Sequence, residues 1–211
     1  MLNADVLTFQ EFSMRETLPL SKIQEAVLEF LQGRDDAVLF GAQAVNAYVS
    51  EPRMTQDVDL LSVRAKDLAE ELRAHLSEKF HIAVRVREIG EGKGFRIYQT
   101  RKEGNRHLVD LRAVSELPNA KTIENVLVLS PAELIASKVV SYHSRKGKPK
   151  SGTDWRDLAV LLLQFSELKS ETSEVGKILR RRGVDEKIFD VWREIVAQDL
   201  QIEDEDEDLI F

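Results

Sequence analysis

The chain has 211 residues, 43% hydrophobic and 32% charged, with a formal net charge of −7 at pH 7. That length suffices for one sizeable domain, or for a core domain with a small helical appendage. The negative balance argues against a general nucleic-acid coat protein, which needs a basic footprint, though it leaves room for a local basic patch.

With no cysteine, disulfides and thiolate zinc sites are excluded. With only 4 His, a metal site has to be mainly oxygen-ligated, which favours magnesium or manganese. No apolar run is long enough for a membrane-spanning helix, and Met1-Leu-Asn-Ala-Asp-Val6 lacks the basic flank and apolar core of a secretory signal. A cytoplasmic location is the expectation.

In chain order, Ser21-Lys-Ile-Gln24 reads as a capping box that opens a helix with Ile23, Val27, Phe30 and Leu31 on its apolar side. Residues 33–36 break it, and 37–40 form a short apolar run that predicts a buried strand. The small apolar stretch 41–49 predicts a tightly packed helix ended by Pro52. A second strand is expected at about 57–62. An amphipathic helix follows over about 65–79, with Leu68, Leu72 and Leu76 at four-residue spacing. Three β-like runs, 82–89, 95–100 and 107–113, are separated by the turns Gly90-Glu-Gly92-Lys-Gly94 and Glu103-Gly-Asn105. A further strand is expected over 126–129.

The character then changes. Ser130-Pro131-Ala132-Glu133 reads as a capping box with proline at the first helical position, and helices are expected over 132–144, 154–165, 172–182 and 185–199. The expected class is α/β (α+β): a mixed β-sheet with flanking helices over 1–129, then a helical portion over 130–200. The block Glu203-Asp-Glu-Asp-Glu-Asp208 makes 201–211 an acidic, flexible tail.

Asp57 and Asp59 alternate with Val58 and Leu60, so a strand here carries carboxylates on one face and hydrophobes on the other. Adjacent acids on one face repel, and a divalent cation relieves the repulsion. Asp110, inside the apolar run Leu108-Val109-Asp110-Leu111, supplies a third carboxylate if its strand lies beside the first. Three such groups can hold two metal ions about 3.5–4 Å apart across a phosphorus centre. The plainer alternative pairs Asp57 with Arg53, and Asp110 with Arg112 or Arg106.

Gly41-Ala42 falls at a strand-to-helix junction, where backbone N–H groups can approach a phosphate. Lys138 and the loop Ser144-Arg145-Lys146-Gly147-Lys148-Pro149-Lys150 form a basic element, followed by Asp154 at an expected helix start and by Asp157. Lys146, Lys148 and Lys150 read as a solvated connection, and Asp157 as a group that holds Lys138 or Arg145. His75, His81, His107 and His143 lack metal-ligand spacing and read as surface or core residues. No nucleophile-elbow, Walker A or dinucleotide-glycine signature occurs.

Together, the apolar strand with Gly41-Ala42, Arg53-x-Thr55-x-Asp57-x-Asp59, Val109-Asp110-Leu111, Lys138, Arg145 and Asp154-x-x-Asp157-Leu158 resemble the DNA polymerase β-like nucleotidyltransferase superfamily, most closely its AbiEii/AbiGii-type toxin branch. The resemblance implies that Asp57, Asp59 and Asp110 are catalytic and hold Mg2+ or Mn2+. It also implies nucleotide contacts from Gly41, Ala42, Arg53, Thr55, Lys138 and Arg145. The second turn residue is usually glycine or serine; Ala42 leaves only backbone donors. The implied reaction moves a nucleoside monophosphate from an NTP to a hydroxyl on RNA, such as a tRNA 3′ end, or on a protein. An antitoxin is the implied partner, and acceptor contacts are expected from the basic loop and the helical portion. Two other readings stay open: a non-catalytic binding module on the same scaffold, and a small-molecule adenylyltransferase.

Overall fold

The computed structural model describes Glu11 and residues 18–201, so the acidic block of the tail lies outside the described residues. The chain divides into two compact units, one up to Ser130 and one from Pro131 onward.

The first unit is built on a seven-stranded mixed sheet. Its strands are β1 (Ala37–Phe40), β2 (Val58–Ser62), β3 (Val84–Ile89), β4 (Gly94–Gln99), β5 (Arg106–Ala113), β6 (Ala120–Ile123) and β7 (Val126–Leu129). They lie in the order β3-β4-β5-β2-β1-β7-β6. β2 pairs antiparallel with β1 and parallel with β5, so the strand that carries Asp59, with Asp57 just before it, sits in the middle.

Helix α1 (Leu20–Leu31) packs on α3 (Ala65–Phe80), and α3 packs on β2 to β5. Leu68, Leu72 and Leu76 are fully buried there, as the four-residue spacing predicts. The opposite side chains of these strands carry the charge.

Four local readings change. α1 starts at Leu20 rather than at a Ser21 cap, and no side chain of its N-cap residue Pro19 bonds back. The carboxylate of Glu11 accepts the Leu20 N–H instead at 2.6 Å, so a distant acid does the capping. The helix α2 after β1 covers only Gly41–Asn46, not the whole stretch to Val49. β6 was not expected from the sequence. It is an edge strand with Lys121 and Thr122 exposed, joined to β7 by a two-residue turn in which Glu124 and Asn125 both have positive φ. The helix α5 of the second unit begins at Lys150, one turn earlier than expected.

The second unit comprises α4 (Pro131–Ser144), α5 (Lys150–Gln164), α6 (Glu174–Arg181) and α7 (Glu186–Ala197). α4 contacts the other three. Leu134, Val139, Leu158, Leu161, Leu179 and Trp192 form its buried centre. Glu133, read from the sequence as half of a capping box, is buried and paired with Arg181 at 3.0 Å and with Arg182. Trp192→Ala should destabilise this unit by about 3–5 kcal/mol, read as a lower urea midpoint.

Candidate active site

Register brings the acids together. In the parallel β2–β5 pair, Asp59 lies opposite Asp110, with Val58 opposite Val109 and Leu60 opposite Leu111. Hydrophobes therefore share the helix-covered face, and the carboxylates share the other. Asp57 precedes β2 by one residue, and the Thr55 hydroxyl donates to its carbonyl oxygen at 3.3 Å.

Gly41 explains the turn in front of Asp59. Its φ is +71°, and a Cβ there would lie 2.0 Å from Asp59 Oδ2. The position needs glycine both for its backbone conformation and for the space the carboxylate takes. α2 is short, so its N-terminus adds little dipole.

His107 is the residue that sequence spacing missed. Its Nδ1 lies 3.3 Å from Asp57 Oδ2, and its Nε2 lies 3.0 Å from Asp110 Oδ1. Residues three apart on a regular strand point to opposite faces, but the β4–β5 register shifts between Ile97 and Tyr98, skipping Leu108. That bulge turns His107 onto the acidic face. A histidine next to an apolar pair and an aspartate was the available signal, though spacing alone does not reveal a bulge.

Arg96 of β4 grips Asp110 from the other side, with Nε to Oδ1 at 2.8 Å and Nη2 to Oδ2 at 3.0 Å. The pairings of Asp110 with Arg112 or Arg106 and of Asp57 with Arg53, the plainer alternatives from sequence, are not the ones found. Arg112 lies over the Phe40 ring at 4.9 Å, and Arg106 contacts Glu11 at 2.5 Å. Partial burial pushes the Asp110 pKa up, but hydrogen bonds from His107 and Arg96 and their charges outweigh it. The carboxyl is held well below its ordinary range.

Asp57, His107 and Asp110 each offer one ligand atom, and these atoms lie within 4.8 Å of one another. This donor set fits a divalent ion, since carboxylate oxygens suit Mg2+ and Mn2+ and an imidazole tilts the preference toward manganese. Asp59 is in register with Asp110 but is not part of that compact set.

Arg53 and Thr55 lie on the loop before β2. Arg53 is fixed through its main chain, its N–H donating to Asn46 Oδ1 at 3.0 Å and its carbonyl accepting from Asn46 Nδ2 at 2.8 Å. Both residues line a cavity of about 330 Å3 together with Gln24, Gln43 and Asn46. Ala42 is buried at the start of α2.

Lys138 and Arg145 belong to the second unit. Lys138 is buried, with Nζ 2.6 Å from Asp157 and 3.6 Å from Asp154. Arg145 donates to both oxygens of Asp154, at 2.8 and 3.1 Å. Asp154 is not in the first turn of α5, because that helix begins at Lys150; it is a buried partner for two cations.

This central sheet, with register-matched acids behind a glycine turn, has counterparts among solved structures. The fold is similar to the Megavirus polyadenylate synthase, with a TM-score of 0.59 and 13% identity over 74% of this chain. The chain spans about a third of that protein, 34% of its length. A putative nucleotidyltransferase from H. pylori aligns with a TM-score of 0.54 and 13% identity, over 90% of this chain and 93% of that one. The antibiotic-resistance factor ANT(2'')-Ia aligns with a TM-score of 0.50 and 16% identity, over 76% and 89%. Comparison with curated protein sequences gave no match.

The family is settled by sequence. Residues 25–209 match the model of the nucleotidyl transferase AbiEii toxin family, of type IV toxin–antitoxin systems, and the chain belongs to that family. Among the described residues, no helix is long and apolar enough to cross a membrane.

Two outcomes follow from this geometry. Gly41→Ala should cost about 1–3 kcal/mol in urea unfolding, because a Cβ would clash with the Asp59 carboxylate and an L side chain is strained at this positive φ. Asp110 has a depressed folded-state pKa, so its contribution is complete above the unfolded carboxylate range, about 3.9, and is lost as pH falls. In EDTA, the stability gap between wild type and Asp110→Asn should therefore be present at pH 7 and close progressively below about pH 4.

Proposed function

We propose that this protein transfers a nucleoside monophosphate from an NTP to a hydroxyl of RNA or protein, releasing pyrophosphate, as the toxin of a toxin–antitoxin pair. The observation that carries this reading is the in-register meeting of Asp59 and Asp110 on one sheet face, with Asp57 and His107 beside them. A bound Mg2+ or Mn2+ supplies charge neutralisation at the phosphates and lowers the pKa of the attacking hydroxyl.

The chain's own residues do the rest. Asp57, Asp59 and Asp110 would hold the ions, with His107 between the carboxylates of Asp57 and Asp110 to align them. Gly41 keeps the β1–α2 turn close to Asp59, so backbone donors of Gly41 and Ala42 can face the triphosphate. Arg53 and Thr55 present a cavity lined by the amide side chains of Gln24, Gln43 and Asn46, suited to a polar ligand such as a nucleoside. While Arg96 and His107 grip Asp110, its depressed pKa makes it a poor proton acceptor. Accepting the proton of the attacking hydroxyl requires that grip to loosen. Lys138 and Arg145, assigned to the nucleotide by resemblance, need to exchange Asp157 and Asp154 for phosphate oxygens to serve there.

Incubation with each labelled NTP, Mn2+ or Mg2+, and total RNA or protein lysate is the test. Asp57→Asn and Asp59→Asn should each reduce label transfer by more than about 100-fold with an unchanged circular dichroism spectrum. Full activity in either variant would refute the assignment.

A further inference from the structure

The face of β3, β4 and β5 that carries the acids also carries an array of cations. Residues directly opposite in a sheet point the same way, so register defines two rows. In the first, Arg87 lies opposite Arg96, Arg96 opposite Asp110, and Asp110 opposite Asp59. In the second, Arg85 lies opposite Tyr98, and Tyr98 opposite His107. Arg112, two residues beyond Asp110, shares this face. At a strand spacing of about 4.8 Å, the first row runs roughly 14 Å from the sheet edge to the acidic centre.

Arg85, Arg87, Arg96 and Arg112 are all exposed. The helix α3 covers the other face, where Val84, Phe95, Ile97, Val109 and Leu111 are buried. Arg96 has Asp110 as counter-charge, whereas Arg85 and Arg87 have no hydrogen-bond or ion-pair partner among the described residues. Like charges directly opposite on a sheet are destabilising, so the Arg87–Arg96 pair is a cost the fold does not need. In a chain of net charge −7, such a cluster beside the acidic centre calls for an anionic ligand.

We infer that this arginine face is a track for a single-stranded polynucleotide, whose end it delivers to the acidic centre. The arginines meet successive phosphates, and Tyr98 offers a ring on which a base can stack. An acidic protein would also meet the charge, but a stacking ring between the arginines favours a nucleic acid. This deepens the proposed function by placing acceptor contacts on β3 and β4 rather than on the basic loop after α4. It rests on that reading only for the chemistry done at the end of the track.

The test is fluorescence anisotropy of a labelled single-stranded RNA, without nucleotide, over a salt series. R85Q/R87Q should weaken binding about tenfold or more at low salt and reduce the magnitude of the log K against log salt slope by about 1 to 1.5. R85K/R87K should restore most of the slope, and K146Q/K148Q, an equal charge loss in the loop, should leave it nearly unchanged. Equal slopes for R85Q/R87Q and wild type, an equal loss in K146Q/K148Q, no RNA binding by the wild type, or equally tight binding of polyglutamate would each overturn the track. Binding is read without turnover, so an enzyme that binds RNA but transfers no nucleotide defeats the catalytic reading and leaves the track standing. Transfer that R85Q/R87Q leaves intact defeats the track alone.

Discussion

The first unit depends on one pairing, the parallel alignment of β2 with β5 that sets Asp59 beside Asp110. Two ionised carboxylates about 5 Å apart repel by roughly 3 kcal/mol at an effective dielectric of 20. The apolar residues on the reverse of the same strands hold the register against that repulsion, since Val58, Leu60, Val109 and Leu111 are almost wholly buried. A slip of one residue would bury the acids and expose those side chains. Arg96 and His107 then supply the counter-charge and hydrogen bonds that let the carboxylates remain together.

The second unit uses its charges differently. Lys138 with Asp157, Arg145 with Asp154, and Glu133 with Arg181 and Arg182 place carboxylates in or near the helical core, each with a partner. Such pairs add little net stability over well-packed hydrophobes, but removing one partner strands a buried charge. A lysine held this way has a fixed position, and moving it onto a phosphate oxygen would leave the buried Asp157 carboxylate without that counter-charge. Fixation in a buried pair therefore does not by itself argue for a ligand contact, since the pair alone would fix the residue just as well.

Much of this was legible in the sequence, because alternation is a strong signal when both sides of it are extreme. Val58-Asp59-Leu60 and Val109-Asp110-Leu111 each announce a strand with one buried and one polar face, and the leucine spacing of α3 announces what covers the buried side. The misses share a cause: each depends on a contact between distant residues or on irregular backbone. Ser21 looked like a cap, but Glu11 occupies the role from outside the helix. β6 was hidden because none of its four residues is buried, so no alternation marks it, and its Glu124-Asn125 turn lacks the usual glycine. His107 was set aside because the histidines lack metal-ligand spacing, and the bulge at Leu108 that turns it onto the acidic face leaves no trace in that spacing.

Arg96 connects the two kinds of charge on the sheet. Its two-pronged grip uses both oxygens of Asp110, so an ion bound there has to share that carboxylate or displace the guanidinium. A displaced Arg96 would stand opposite Arg87 without its counter-charge, and the repulsion between the two arginines would rise. An anion drawn onto the arginine face would relieve it. On the proposed reading, loading of the acidic centre and occupancy of the arginine face would be coupled through this one side chain, each favouring the other. That coupling requires no movement of the sheet, only a change of partner by Arg96.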